Sequence, residues 1–66
     1  MSRTRRGGYI FIRWKGDHPP PHVHVFNGNS TFISRVNLQT MEPMDADHIA
    51  KEIIELIIEL QWKGRI

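Results

Sequence analysis

His22-Val23-His24-Val25-Phe26-Asn27-Gly28-Asn29-Ser30-Thr31 alternates with period two and then breaks at a turn. Side chains of an extended strand point alternately to opposite faces, so His22 and His24 share one face while Val23 and Val25 share the other. Asn-Gly tolerates positive φ and is the strongest short hairpin signal, so a second strand returns over residues 31–38. A two-residue loop at Asn27-Gly28 sets His24 against Thr31, Val23 against Phe32 and His22 against Ile33. Moving the loop to Gly28-Asn29 shifts each partner by two and leaves the faces unchanged.

Upstream, Pro19-Pro20-Pro21 fixes φ and removes three backbone donors, which predicts a stiff, extended arm. The two imidazoles of the strand lie roughly 7 Å apart at Cα, close enough to share one metal ion or one anion. His18 lies about 12 Å from His22 along a fully extended arm, so bringing it to the pair needs a bend or a cis X-Pro bond. Earlier still, the aromatic and β-branched residues 8–14 predict a first strand, which Lys15-Gly16-Asp17 ends.

Downstream, the period changes to 3.6. Ala46, Ile49, Ala50, Ile53, Leu56, Ile57 and Leu60 form one stripe, opposed by Glu52, Glu55, Glu59 and Lys63. This predicts a helix opening at Asp45 as N-cap, just after Pro43, and stopping at Gly64. The expected fold is therefore α+β: a three-stranded antiparallel sheet followed by one C-terminal helix packed on one face. Residues 1–66 make a single domain, with residues 1–7 as a basic flexible tail and Arg3, Arg5 and Arg6 solvated within it.

Parity then assigns the faces. Ile10, Ile12, Trp14, Val23, Val25, Phe32, Val36 and Leu38 are expected to meet the helix. Tyr9, Phe11, Arg13, His22, His24, Phe26, Thr31, Ile33, Arg35 and Asn37 are expected on the open face. Aromatic rings among Arg and His suit stacked bases and phosphates, and equally a protein interface. On the helix, Ile54, Ile58 and Trp62 lie roughly 80°, 120° and 160° from Ala46, outside the main stripe. They predict contact with a second chain, either a copy of this one or a different partner.

Composition narrows the function classes. A 66-residue chain builds a small core, sufficient for only about 3–5 kcal/mol of stability. There is no cysteine, which excludes disulfides and thiolate zinc sites. Glu52, Glu55 and Glu59 interrupt the isoleucine-rich run and argue against a membrane span; with no apolar stretch after the basic start, a cytoplasmic location is expected. The net charge is only +2, but residues 1–41 carry six Lys or Arg against one acid, and residues 42–66 carry three against six. A basic front suits an anionic partner such as RNA.

Two chemistries compete for the histidines. His22 and His24, with His18 or Asp17 as a third ligand, would suit a divalent transition metal. Alternatively, His22 or His24 would act as general acid and base in RNA cleavage through the 2′-hydroxyl, with Arg13 or Arg35 stabilising the phosphate. The plainer alternative has His18 and His22 fixing the proline arm by backbone hydrogen bonds while His24 packs among aromatics. Tyr9 and Phe11 read either as base-stacking platforms or as an aromatic dimer seam, and His48 as a surface residue.

The Gly7-Gly8-Tyr9-Ile10-Phe11-Ile12 opening, the run from Asp17 to Val25, the hairpin and the single helix together resemble the small bacterial domain-of-unknown-function 4160 family. The resemblance implies a sheet-plus-helix protein, often encoded beside another small protein in a toxin–antitoxin-like pair. Together with the basic front and the open aromatic face, the chain reads as a binding protein, the toxin-like member of such a pair, that engages RNA or the translation machinery. The third strand and the tail from Gln61 to Ile66 depart from that family, whose helices are longer and carry their own C-terminal extensions.

Overall fold

Gly7 and Gly8 both take positive φ, 60° and 82°, the backbone that a tight two-residue hairpin demands and that glycine adopts without a Cβ penalty. They join β1 (Ser2–Arg6) to β2 (Tyr9–Arg13), with Arg6 opposite Tyr9. The computed structural model describes residues 2–14, 16 and 18–66. Beyond the hairpin come β3 (His22–Asn27), β4 (Phe32–Asn37) and α1 (Lys51–Trp62). The sheet is an antiparallel meander in the order β1-β2-β3-β4.

The α+β architecture and the terminal helix are as expected, but the sheet has four strands rather than three. Residues expected to form a flexible tail make β1 instead. Its sequence, Ser-Arg-Thr-Arg-Arg, has no apolar alternation to announce a strand, and what holds it is supplied from far along the chain. Arg6 makes two hydrogen bonds of 3.0 Å to Glu59 on α1, Ser2 Oγ donates to the Arg65 carbonyl, and Arg5 donates to the Gly28 carbonyl at 2.8 Å.

The register of β2 reverses its expected faces. Phe11 pairs with Val25 and Ile12 with His24, so Tyr9, Phe11 and Arg13 take the parity of the helix side and Ile10 and Ile12 that of the open side. Because β2 is apolar at four successive positions, alternation does not choose its face, and the pairing does. On β4, an irregularity between Val25 and Phe26 sets Phe26 against Phe32 while Val25 faces Ser34. The extra residue moves Phe32 to the open face and turns Ile33 toward the core, the reverse of simple parity. The β3–β4 turn spans residues 28–31 with Ser30 at φ 66°, and the Asn27 side chain accepts from Asn29 N–H (2.9 Å) and Thr31 N–H (3.0 Å). It replaces the expected two-residue loop.

The helix also starts later than expected. Asp45 is bound to β4, and α1 opens at Lys51 behind Ala50, which makes no side-chain cap. It ends as expected at Gly64, φ 70°, where Gly64 N–H donates to the Gln61 carbonyl (3.0 Å) and Arg65 N–H to that of Leu60 (2.8 Å). These two bonds form a Schellman motif that satisfies carbonyls of the last turn. Ile53, Ile57 and Leu60 bury against Phe11, Val23, Val25, Val36 and Leu38, with Ile54 and Leu56 packed at the margin. Ile54, expected to lie outside the core and meet a second chain, is instead partly buried against the core. Ile58 and Trp62 stay exposed, at 51% and 90%. No helix among the described residues is long and apolar enough to cross a membrane.

Candidate functional site

The face of the sheet away from α1 is organised in cross-strand rows. Arg5, Ile10, Phe26 and Phe32 make one; Arg3, Ile12, His24 and Arg35 make the next. Each begins with an arginine on β1. Trp14, just past β2, sets its ring 4.5 Å from that of His24 in a T-shaped contact. His24 lies 6.3 Å from Phe32, and Phe32 lies 5.5 Å from Phe26. Trp14, His24, Phe32 and Phe26 thus form a continuous aromatic row, with Trp14 39% and Phe32 45% exposed. The Trp14–His24 and Phe26–Phe32 contacts are edge-to-face, which suits rings whose faces are negative and edges positive, and the His24–Phe32 contact is tilted.

His22 flanks this row, its ring centroid 5.1 Å from that of His24, but it is only 6% exposed. Its Nδ1 donates to the Pro20 carbonyl at 2.8 Å, which fixes the tautomer and ties the proline arm to the sheet. The Pro19–Pro20 peptide is cis. His18 remains exposed, and no three His, Asp or Glu side chains converge on a metal position among the described residues. The three-histidine ligand set is therefore not assembled; Asp17, the other candidate third ligand, lies outside the described residues.

The remaining candidates disperse. Phe11 is fully buried in the core, Tyr9 packs beside it at 6.4 Å between rings, and Arg13 ends β2 on the helix-side parity. None of the three shares the histidine face. Arg35 does, as the cross-strand partner of His24. Its backbone N–H, Nε and Nη2 each donate to Asp45 at 2.9 Å. These bonds hold the Asp45 carboxyl at a pKa of about 2, below the ordinary 3.8, because proton uptake would cost the side-chain and backbone hydrogen bonds from Arg35. Arg35 is thus largely neutralised as a phosphate clamp. Among the described residues, the other arginines on this face are Arg3 and Arg5, the latter donating to the Gly28 carbonyl.

Trp14 and Phe32 are site residues that parity placed in the core. For Trp14 the sequence offered only the nearby break at Gly16, because the strand was expected to run through residue 14 whereas β2 ends at Arg13. For Phe32 nothing in the local pattern marks the bulge. Compared with protein-family models, curated proteins and solved structures, the chain finds no match.

Proposed function

We propose that this chain is a small binding protein whose open sheet face takes single-stranded RNA, and that it serves as the toxin-like member of a two-protein module of the kind implied by the family it resembles. The observation that carries this reading is the row Trp14, His24, Phe32 and Phe26, uncovered by α1 and bordered by Arg3 and Arg5. Aromatic rings stack on any base, at about 1–3 kcal/mol per base, while the arginines track phosphates. Trp14 and Phe32 stand partly exposed at either side of His24, and a contiguous aromatic patch of this kind is what supports a ligand-binding face. Exposed Ile58 and Trp62 on the opposite side are where we place association with a second chain, either a copy or a small protein encoded nearby.

The test is binding of a labelled ten-nucleotide oligouridine, followed by anisotropy at low and high salt. Trp14→Ala and Phe32→Ala should each weaken binding by roughly tenfold, in keeping with the loss of one stacked base, without changing the circular dichroism. Affinity should fall as salt rises. Oligouridine that fails to bind at low salt, or binds both variants as tightly as the parent, would overturn the reading.

A further inference from the structure

The two edges of the sheet are treated differently. Beyond β4, the chain folds back: Val36 bridges to Pro43, Met44 N–H donates to the Arg35 carbonyl at 2.7 Å, and Asn37 N–H donates to that of Glu42 at 2.9 Å. Beyond β1, no further strand is paired among the described residues. In a two-residue hairpin the pair flanking the turn exchanges both backbone bonds, and such pairs alternate along the ladder. With Arg6 and Tyr9 closing the turn, Thr4 and Ser2 direct their backbone groups to β2, and Arg3 and Arg5 direct theirs outward.

Cations surround this open edge. Arg3 and Arg5 rise on the open face. On the helix side, a concavity of about 180 Å³ is lined by Thr4, Arg5, Arg6, Leu60, Lys63 and Arg65. Among the described residues, Glu59 opposes them, its carboxylate shared between Arg6 and Lys63. A strand laid along β1 would therefore project alternate side chains toward positive charge on both faces.

We infer that the edge of β1 is a docking site for an extended acidic segment of another polypeptide, added to the sheet as a fifth antiparallel or parallel strand. Charge decides against a second copy: antiparallel pairing of two β1 strands about Thr4 would oppose Arg3 to Arg5 in both directions, and like charges directly opposite are destabilising. The same arginines that discourage self-pairing attract an acidic strand, whose backbone supplies the affinity and whose charges supply the selectivity. The site shares Arg3 and Arg5 with the proposed RNA face but none of its aromatic rings, which lie on or beside the other strands.

The probe is a labelled ten-residue peptide alternating glutamate and threonine, compared with its lysine and threonine counterpart, on the full chain. The acidic peptide should bind about tenfold or more tightly than the basic one, and it should slow exchange of the Arg3 and Arg5 amides, which become bonded to the new strand. Arg3→Pro removes an outward N–H that an edge strand can spare, and should lower affinity about tenfold by deleting a backbone bond. Arg3→Gln keeps that N–H and removes the charge, and should cost only about threefold. Trp14→Ala should leave peptide binding unchanged, which separates this site from the RNA face. Equal losses for Arg3→Pro and Arg3→Gln, or unprotected Arg3 and Arg5 amides in the wild-type complex, would mean charge attraction without strand addition and would overturn the inference. So would oligouridine that itself protects those amides.

Discussion

Single side chains decide where the irregular parts of this protein sit. Asp45 ties residues 43–45 to β4 through Arg35, and its carboxyl is held at about 2 by those hydrogen bonds. A folded-state pKa below the unfolded one stabilises the fold above the unfolded value, and that contribution is lost as pH falls through the folded one. Between about pH 4 and 2, the melting temperature of the wild type should therefore drop more than that of Asp45→Asn, which is less stable near neutrality. Parallel acid titrations of the two would show whether the pair contributes; coincident slopes would mean that it does not. The glycine turn offers a second comparison. A Cβ on Gly7 would come within 2.7 Å of Leu56 Cδ1, whereas one on Gly8 would meet nothing within 4 Å. Both alanine variants carry the cost of positive φ, about 1–2 kcal/mol, and Gly7→Ala should cost more because Leu56 must also turn aside. Equal denaturation midpoints would show that Leu56 gives way freely.

At the level of elements, the helix was legible in its stripe and in its end. Ile53, Ile57 and Leu60 face the sheet, and Gly64 closes the last turn. Its start was not legible, because Asp45 has the chemistry of an N-cap but finds a stronger partner in Arg35, across a contact that no local pattern reports. The helix is left with Ala50, in the extended conformation of a cap (φ −59°, ψ 136°) but without an acceptor. Ala50→Asp should therefore stabilise the protein by about 0.5–2 kcal/mol, since the new carboxylate would accept from a first-turn N–H and favour the helix dipole. Urea denaturation provides the measurement, and no gain would imply that the residues before α1 cannot present the side chain. β1 shows the opposite case, a strand made by its neighbours. Its Gly-Gly turn was a readable signal, but the residues before it carry no apolar alternation, and the partners of Arg6 and Ser2, Glu59 and Arg65, lie more than fifty residues away. Glu59 responds in turn: hydrogen bonding from Arg6 lowers its pKa.

Across the whole molecule, charge and apolar surface are segregated. Arginine lines the β1 side, whereas the exposed helix surface carries Glu52, Glu55, Ile58 and Trp62. If Ile58 and Trp62 meet a second chain, Ile58→Lys should lower the assembly state seen by sedimentation while leaving the monomer fold intact, because the residue is half exposed and supports no core contact. A wild type that sediments as a monomer at high micromolar concentration would remove homo-oligomerisation and leave a different partner as the only cover.

Period and punctuation alone determined the strand that carries His22 and His24, the presence of a hairpin after it, the amphipathic helix and its glycine stop. Each depends on a repeat or dipeptide whose backbone preference is local. Only the tertiary structure decided the rest: which face of an all-apolar β2 turned inward, the bulge that brought Phe32 beside His24, the capture of Asp45 by Arg35, and the recruitment of Ser2–Arg6 as a fourth strand. Those outcomes depend on register and on pairings between distant residues, and a one-residue change in register exchanges the two faces of a strand without altering a single local preference.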